Sequence, residues 1–302
     1  MLSKTVQIQA VIYHNEKKAL LRTLDSLAQA LLLSRKQQAA IQQAVFIFGD
    51  ASSSPIFTQK EIQELNDSYP DYLEIQYRFF GFNSGFGKGH NLLAENATSD
   101  FLLVINPDIL VTPRFFTEMV KPFLDSTLQA GAVEARQTPI EHPKDYDMNT
   151  GETLWCSGAC VLFPTALYQQ VGGYDSDTFF MYCEDVDLSW RIRLTGKKMI
   201  YQPKAPVFHS KHLSVSGTWD PTPTEVRCSV ESALLMAYKW DNPALLKKLL
   251  STYKRDQNEY VQQGLRDFKQ KQEKNLLPQQ IKHAQHVAQF VGFAYSKHRF
   301  DL

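Results

Sequence analysis

Three carboxylates lie close together in the sequence YCEDVDLSWR, at Glu184, Asp185 and Asp187. Acidic residues are favourable in the first turn of a helix, and the i,i+4 spacing of Asp187 and Arg191 favours an ion pair on one helix face. Helix capping and one ion pair do not account for all three carboxylates. On a turn that faces a ligand, such a group can act as a general base, an effect typically worth about 10²–10⁴-fold in rate. The motif therefore predicts a general base beside a structural Asp187–Arg191 pair.

A further acidic residue, Asp108 in INPDIL, directly follows the apolar run FLLVI. A carboxylate in this place can bind a hard divalent cation together with diphosphate oxygens, because Mg²⁺ usually binds through one or two carboxylates plus phosphates. Asn-Pro and Asp are also common turn formers, so an ordinary turn is the alternative. His209 follows the apolar run APVF. Its imidazole suits Mn²⁺ or another transition metal ion, although an isolated histidine is more often structural.

The stretch GFNSGFGKGHN, residues 81–91, contains four glycines. A Walker phosphate loop would need glycine at position 82 and a hydroxyl at position 89, where this chain has Phe82 and Gly89. The dinucleotide-binding pattern also fits poorly, because the stretch does not follow the first strand and its glycines are spaced differently. What remains is a loop that permits close backbone approach and offers polar contacts from Asn83 and Asn91, or else a capped turn.

Periodic apolar residues indicate the elements that position these motifs. The expected strands are 6–13, 44–50, 73–80, 101–105 and 197–202, and the expected helices are 16–33, 59–65, 89–97, 164–171 and 184–194, with another beginning at Pro113. Strands alternating with helices predict an α/β domain with a largely parallel sheet. The polar clusters YHNE, GDASSS, GFNSGFGKGHN and NPD each follow a strand. Ligands usually bind at that edge of such sheets, so we expect one site there.

The rest of the chain is less regular. Residues 119–153 show a weak pattern with prolines and acidic residues, which predicts a flexible loop over the site. After His209 the sequence favours helix at 224–240, 243–272 and 278–297. Glycine and proline in SVSGTWDPTP predict a boundary near residues 211–222, dividing the chain into 1–214 and 215–302.

Composition excludes several classes of protein. In 302 residues, 32 basic residues balance 32 acidic ones, which gives no indication of a nucleic-acid partner. The sequence has no apolar run of membrane-spanning length, and its first residues do not resemble a signal peptide. The four cysteines do not have the spacing of a zinc site or a disulfide framework, so we expect reduced thiols and a cytosolic location.

Taken in order, the motifs resemble the inverting family 2 glycosyltransferases of the GT-A fold, and especially the rhamnosyltransferase-like enzymes that build bacterial surface polysaccharides. The resemblance extends from about Val6 to His209 and is carried by YHNE, GDASSS, NSGFGKGHN, INPDI, CSGACVLFP and the stretch from VGGYDSDTFFMYCEDVDLSWRI to KAPVFH. It implies a Rossmann-like, mostly parallel central sheet flanked by helices, followed here by a C-terminal helical extension.

The resemblance also implies roles for single residues. Asp108 corresponds to the last acid of the family's D-x-D metal motif, with Asn106 in place of the first, and His209 corresponds to the histidine that completes the metal site. Asp185 corresponds to the catalytic base, and Glu184 to its neighbour in the acceptor region. The implied contacts to the nucleotide-sugar donor are His14, Asn15, Glu16, Asp50, Asn83, Gly85, Lys88, Asn91, Asn106 and Gly158.

One position departs from the family pattern. Gly49 stands where the family has an aspartate that hydrogen-bonds the pyrimidine ring of the donor. Either Asp50 takes over that contact from one position along, or recognition of the base is weaker or unusual.

A single displacement follows from the resemblance. The donor would be dTDP-rhamnose or a UDP-linked sugar, the metal Mn²⁺ or Mg²⁺, and the acceptor a growing glycan or a lipid-linked oligosaccharide. The expected location is the cytoplasm, with peripheral association at the inner face of the plasma membrane and a homodimer as further expectations. The alternatives are a UDP-hexose transferase, a non-catalytic glycan- or nucleotide-binding relative, and a sugar nucleotidyltransferase. The last should have a glycine-rich loop after the first strand, which YHNEKKALL lacks.

Overall fold

The computed structural model describes residues 3–210 and 221–300, and a nine-stranded sheet lies at the centre of that part of the chain. The strands are β1 (Lys4–Ile12), β2 (Ile41–Asp50), β3 (Leu73–Phe79), β4 (Phe101–Ile105), β5 (Ile109–Val111), β6 (Ala130–Thr138), β7 (Glu152–Thr153), β8 (Cys160–Pro164) and β9 (Lys198–His209). The helices are α1 (Lys17–Lys36), α2 (Gln59–Ser68), α3 (Gly85–Ala94), α4 (Phe115–Leu124), α5 (Thr165–Gln170), α6 (Glu184–Leu194), α7 (Pro223–Lys239), α8 (Pro243–Arg255) and α9 (Glu259–Glu273). The predicted α/β class is confirmed.

The sheet has a parallel half and a mixed half. The parallel half has the strand order β3-β2-β1-β4. In the mixed half, β8 is antiparallel to β4 and β6, β6 and β9 run parallel, and β5 and β7 are antiparallel to β9. Parallel neighbours end at the same edge, so the segments that follow β1 to β4 lie side by side. This is the grouping that the polar clusters predicted.

Alternation in β1 explains why helices cover both faces of the sheet. Its apolar residues Val6, Ile8, Ala10 and Ile12 face the main core and are at most 1% exposed. Leucines at helical spacing in α1 pack into the same core, and burying each one contributes roughly 1.5–3 kcal/mol. On the other face, Gln7 Nε2 donates to Leu93 O of α3 (2.8 Å).

The prediction of a flexible loop over residues 119–153 is wrong. β6 lies inside the sheet between β8 and β9, and Lys144, beyond β6, is only 3% exposed. The pattern did not predict β6 because its sequence AGAVEARQT carries Glu134 and Arg136, and charged residues are rarely buried unless paired. Glu134 forms an ion pair with Lys144, which is a tertiary contact that strand periodicity does not contain.

The C-terminal helices share a hydrophobic core with α6. The ring of Trp190 in α6 lies 5.2 Å from that of Trp240 and 5.0 Å from that of Phe290. The run 243–272 forms two helices, α8 and α9, separated by Asp256 to Asn258. The helix predicted over 278–297 is wrong, because residues 278–297 form turns and isolated bridges whose apolar side chains pack one by one against this core.

Three further predictions concern the domain division, membrane-spanning segments and the cysteines. The predicted division between residues 214 and 215 lies outside the described residues. Among the helices of the described ranges, none combines the length and the apolar character needed to cross a membrane. All four cysteines are free thiols, and all are buried.

Candidate active site

The loops after β1 and β2 hold each other at the carboxyl edge of the sheet. The backbone N–H of His14 donates to Ser52 Oγ (2.8 Å), and His14 has a φ of 55°. Asn15 Oδ1 accepts a hydrogen bond from the Tyr13 backbone N–H (2.8 Å). The side chains of His14 and Glu16 are exposed. Among these three predicted donor contacts, His14 and Glu16 can reach a ligand most directly, whereas the Asn15 oxygen already binds the backbone.

Asp50 at the end of β2 is fully buried. Its Oδ1 accepts from the Ser52 backbone N–H (2.9 Å), and its Oδ2 accepts from the Ile56 backbone N–H (2.8 Å) and from the Tyr77 hydroxyl. Both carboxylate oxygens therefore stabilise the turn after β2. The structure does not favour the alternative in which Asp50 replaces the missing contact to the pyrimidine.

Gly49 is closely packed. A Cβ added to Gly49 would lie 2.7 Å from the Phe80 ring and 2.9 Å from Leu93, both below normal contact distances. An aspartate at this position would therefore displace its neighbours. The packing leaves weaker or unusual recognition of the base as the remaining alternative.

α3 begins inside the glycine stretch, at Gly85, four residues earlier than predicted. Asn83 Oδ1 accepts from the Gly85 N–H (3.0 Å). Gly85 has a φ of +66°, and an added Cβ would lie 2.7 Å from Phe180 O, so the position requires glycine. Asn83 and Lys88 are exposed. The stretch therefore forms a helix N-terminus, where backbone N–H groups favour an anion.

Asn91 joins α3 to the segment before α6. Its Nδ2 donates to Tyr174 O (2.7 Å), and its Oδ1 accepts from the Tyr168 hydroxyl (2.7 Å) and the Tyr174 N–H (2.9 Å). It lines an open polar cavity of about 360 Å³ with Arg191 and Lys239, and neither Asp108 nor His209 lines that cavity. We therefore assign Asn91 a structural role rather than the predicted donor contact.

Asp108 and His209 come together because β5 pairs with β9, with Ile109 opposite His209. His209 Nε2 lies 3.3 Å from Asp108 Oδ1 and 3.3 Å from Asn106 Nδ2. The His209 ring is buried, whereas about a third of the Asp108 side chain is exposed. These residues, together with Gln137, form what we call the metal-side cluster.

The metal-side cluster fits a divalent cation. His209 Nδ1 lies 2.9 Å from Gln137 Oε1, which can only accept, so Nδ1 carries the proton and Nε2 presents its lone pair toward Asp108. Histidines that bind metals usually donate their second N–H to such an acceptor. Asp108 and His209 would supply two ligands and leave the remaining positions to water and diphosphate oxygens. The described residues contain no group of three or more His, Cys, Asp or Glu side chains that would hold a metal alone.

Residues 156–159 connect the metal-side cluster to the carboxylates of α6. The Gly158 N–H donates to Asp185 Oδ2 (3.0 Å). Ser157 Oγ accepts from Gln137 Nε2 (3.2 Å), and the Asn106 N–H donates to Ala159 O (2.8 Å). Gly158 therefore contacts the candidate base through its backbone, and the same short segment touches both parts of the site.

Asp187 is a structural residue, as the sequence predicted. It is fully buried, and its oxygens bind Arg191 Nε (2.7 Å), Lys239 Nζ (2.6 Å) and Trp240 Nε1 (3.0 Å). Lys239 and Trp240 belong to the C-terminal part of the chain and extend the predicted ion pair. This network excludes Asp187 as the base.

Asp185 and Glu184 differ in accessibility. Asp185 is partly exposed, and its Oδ1 accepts from the Val186 N–H (2.8 Å). Burial raises the pKa of Asp185 above its ordinary value, although the backbone bonds from Gly158 and Val186 oppose that shift. Glu184 is 6% exposed, its Oε2 has no hydrogen-bond partner among the described residues, and burial followed by repulsion from Asp185 raises its pKa. Asp185 is therefore the more accessible of the two carboxylates and the candidate base, with Glu184 favouring its protonated form beside it.

Residues 181–187, which lead into α6 and form its first turn, contain strained backbone and are held by residues from other elements. Tyr182 and Cys183 have φ values of 72° and 65°, which are uncommon without glycine. Ser232 Oγ of α7 donates to the carbonyl of residue 181 (3.0 Å), and the Tyr182 hydroxyl donates to Glu225 (2.8 Å). Cys183 Sγ lies 3.1 Å from the Tyr295 hydroxyl. We call this segment the base-side turn, and its conformation depends on the C-terminal part.

Sequence reasoning missed Gln137 and the buried Glu134, both in the strand that was not predicted. Gln137 orients His209, and Glu134 accepts from the Ser157 N–H (2.9 Å). The available signal was the density of polar residues in VEARQT between apolar runs.

Comparison with known proteins gives a family model and several relatives. The model described as glycosyl transferase family 2 matches residues 10–181, more than half of the chain. The rhamnosyltransferase WbbL of Escherichia coli strain K12 is 25% identical over 163 residues, covering 42% of this chain and 60% of that protein. An N-acetylglucosaminyl-diphospho-decaprenol L-rhamnosyltransferase of Mycobacterium tuberculosis is 46% identical over 57 residues, covering 19% of this chain and 18% of that protein. The chain thus spans less than two thirds of the length of either relative.

Solved structures share the architecture. GalNAc-T7 with UDP, GalNAc and Mn²⁺ superposes with a TM-score of 0.63 at 12% identity, over 94% of this chain and 57% of that one. The mannosyltransferase PcManGT of Pyrobaculum calidifontis, with GDP-Man and Mn²⁺, has a TM-score of 0.56 at 15% identity, over 87% of this chain and 70% of that one. At these identities the likeness shows the fold, and it confirms the predicted GT-A architecture.

Proposed function

This chain belongs to glycosyl transferase family 2, and from that premise we propose an inverting enzyme that moves a sugar from a nucleotide-sugar donor to a hydroxyl group of a glycan. The observation that carries the proposal is the 156–159 segment. It holds Asp185 through Gly158 and, through Ser157 and Ala159, hydrogen-bonds to Gln137 and Asn106 of the metal-side cluster.

The proposed reaction is a single displacement. Asp185 accepts the proton of the acceptor hydroxyl as that oxygen attacks the anomeric carbon from the face opposite the leaving group. The new C–O bond forms while the bond to the diphosphate oxygen breaks, so the nucleoside diphosphate leaves with the electron pair and the anomeric configuration inverts. The N–H groups of Gly158 and Val186 keep the carboxylate of Asp185 in one orientation.

Asp108 and His209 are the proposed ligands for Mn²⁺ or Mg²⁺. A bound divalent ion would neutralise the charge that grows on the departing diphosphate. The exposed side chains of Asn83 and Lys88, near the N-terminus of α3, are the proposed donor contacts from the glycine stretch.

For the donor we propose dTDP-rhamnose, supported by similarity to two rhamnosyltransferases. The family's base-binding aspartate, placed at Gly49, would displace Phe80 and Leu93, so the base contact differs from the family pattern and a UDP-linked sugar is the alternative donor. A panel of dTDP- and UDP-sugars, each with Mn²⁺ or Mg²⁺, tests this. We expect nucleoside diphosphate release and a glycosylated product with dTDP-rhamnose. If no nucleotide sugar supports transfer to any glycan acceptor, the proposal of a transferase is wrong.

The proposed acceptor is a growing or lipid-linked glycan, used in the cytoplasm at the membrane surface. The mycobacterial relative is named for a lipid-linked acceptor. The exposed face of α8 carries Lys247, Lys248, Lys254 and Arg255, and no carboxylate in the described part of the chain forms an ion pair with these four. Phe293, 51% exposed, lies beside this face with Lys248 Nζ 4.5 Å from its ring centre. Basic residues near an anionic bilayer contribute about 1 kcal/mol each, and an exposed aromatic ring adds to the attraction.

Vesicle binding tests this surface. We expect the chain to sediment with vesicles of phosphatidylcholine and phosphatidylserine but not of phosphatidylcholine alone. Changing the four α8 cations to Gln should abolish this binding, whereas the same change at the exposed Lys18, Lys36, Lys60 and Lys204 should not. Equal loss in both variants would mean that net charge, rather than α8, causes the attraction. The separation of a domain at 1–214 from a C-terminal region, and a homodimer, remain predictions.

A further inference from the structure

A buried ion pair lies directly behind the segment that holds Asp185. Lys144 and Glu134 are 3% and 2% exposed, and Lys144 Nζ donates to Glu134 Oε2. Lys144 Nζ also donates to Trp155 O (2.8 Å) and lies 3.9 Å from the centre of the Trp155 ring. Burying two charges costs several kcal/mol per ion, and an apolar pair of similar volume often packs equally well. Stability alone therefore does not account for this pair.

The carboxylate of Glu134 reaches the 156–159 segment. The oxygen that binds Lys144 also accepts from the Ser157 N–H (2.9 Å). The next N–H along the chain, that of Gly158, donates to Asp185 Oδ2 (3.0 Å). Two successive amides thus bind carboxylates on two different elements, β6 and α6. A shift of Ser157 would carry the Gly158 N–H away from Asp185.

Lys144 is itself held by the end of the described chain. The Arg299 N–H donates to Pro143 O (2.6 Å), and Arg299 Nε donates to Lys144 O (3.3 Å). Arg299 Nη1 pairs with Glu141 (2.8 Å). These contacts fix the backbone on both sides of Lys144, so its ammonium group is held in place to bind Glu134.

We propose that Lys144 and Glu134 are positioning residues for Asp185: Glu134, neutralised by Lys144, fixes the Ser157 amide and thereby the Gly158 N–H that binds the base. The proposal rests on the proposed function, in which Asp185 accepts the proton. Because neither residue of the pair carries out chemistry, its effect acts through the orientation and charge environment of Asp185.

The charged groups around Asp185 determine in which direction each variant should shift the pKa of Asp185. The titratable groups that interact with it are Cys183 and Glu184 beside it, Glu134 on β6, and Lys144, Cys156, Tyr174 and Tyr295 from the other packed segments. Burial raises the pKa of these thiols and phenols, so they stay uncharged near neutral pH. The ammonium group of Lys144 lowers the pKa of Asp185, so its removal should raise that pKa, whereas the carboxylate of Glu134 repels that of Asp185, so its removal should lower it. The two changes should therefore move the titration of Asp185 in opposite directions.

The experiment is the pH profile of kcat for sugar transfer. Lys144→Met should move the acid limb to higher pH, Glu134→Gln should move it to lower pH, and the double variant should return it close to the parent. All three should lose kcat, by up to about 10²-fold, because small displacements of a catalytic group are costly, while KM for the donor stays unchanged. Lys144→Arg should recover most of the loss.

Lys198→Met is the matched control, because Lys198 forms a surface pair with Glu152 (2.6 Å). It should leave kcat and the pH profile unchanged. Acid limbs that stay in place, or that move in the same direction in both single variants, would overturn the proposal. If Lys144→Met does not fold, Glu134→Gln and the double variant decide the question. Failure of the proposed function would be seen separately, as absence of sugar transfer by the parent, and a wrong assignment of the base as full activity in Asp185→Asn.

Discussion

The two parts of the site, the metal-side cluster and the base-side turn, are built in different ways. The metal-side cluster uses strand ends of the sheet, and its histidine is oriented by one amide side chain. The base-side turn has two successive residues with positive φ and is held by Ser232, Glu225 and Tyr295 from the C-terminal part. The family model ends at residue 181, directly before the base-side carboxylates, so Ser232, Glu225 and Tyr295 all lie outside the matched region.

This difference in construction suggests that the two parts of the site have separate roles in donor binding and in turnover. The metal-side cluster is part of the sheet itself and forms where β5 pairs with β9 and β6 runs beside β9. The base-side turn carries buried carboxylates with raised pKa values, which require support from several elements to remain folded. We infer that donor binding and turnover can be altered separately by substitutions in the two parts.

The largest difference between the effect on turnover and the effect on donor binding is expected for Asp185→Asn. The amide keeps the shape of the side chain but cannot accept the proton, so kcat should fall by about 10²–10⁴-fold or more. Donor affinity in the presence of Mn²⁺, measured by calorimetry, should stay close to that of the parent. Full activity in this variant would show that another residue is the base.

Substitutions in the metal-side cluster should instead weaken donor binding in the presence of Mn²⁺. His209→Ala removes a proposed metal ligand, and Gln137→Leu removes the acceptor that fixes the ring. We expect Gln137→Leu to weaken Mn²⁺-dependent donor binding by about 10–100-fold, and His209→Ala to weaken it more. Gln169→Leu is a matched control, because Gln169 binds the carbonyls of Ala94 and Ala97 instead. Unchanged Mn²⁺ dependence in His209→Ala would exclude this metal site.

The sequence predicted the metal-side cluster more completely than the base-side turn. Strand order placed Asp108 at the edge of the sheet, and the family resemblance paired it with His209. Asp185 and its neighbour Gly158 were also identified, but the residues behind them were not. Glu134 and Gln137 lie in a strand interrupted by charged residues, and Lys144 lies in a segment predicted as a flexible loop. Their contacts join distant parts of the chain, and local patterns of hydrophobicity do not contain such pairings.

The fold shows the same limit. Alternation predicted β1 and continuous apolar runs predicted β2 and β4, whereas the short β5 and the charged β6 were missed. The run 278–297 has helical spacing but begins at Pro278 and contains Gly292, which has a φ of +62°. Its apolar residues pack between α6 and the C-terminal helices. Their spacing in the sequence is that of a helix, so periodicity alone predicts one.

Glu184→Gln should reveal the electrostatic cost of the base-side turn as a change in stability with pH. Burial, then the charges of Asp185 and Asp187, raise the pKa of Glu184 above its ordinary value of 4.5. Below that value both side chains are neutral, and the variant should be as stable as the parent. As the pH rises from there toward the raised pKa, the parent should lose stability relative to the variant, by about 1.4 kcal/mol per unit of the shift. Thermal unfolding across this range measures the difference, and a constant difference at all pH values would contradict it.

The smallest effect is expected for Tyr295→Phe, which tests how the C-terminal part supports the base-side turn. The change removes the hydroxyl that lies 3.1 Å from Cys183 Sγ but keeps the ring, which lies 5.8 Å from that of Trp190. Contacts between a thiol and a hydroxyl are weak, so unfolding free energy should fall by no more than about 1 kcal/mol, with a similarly small loss of kcat. Tyr260→Phe on α9 serves as the control. A loss of kcat as large as that of Asp185→Asn, without loss of stability, would instead place the Tyr295 hydroxyl in the reaction, and the separation between the support of the turn and its chemistry would no longer hold.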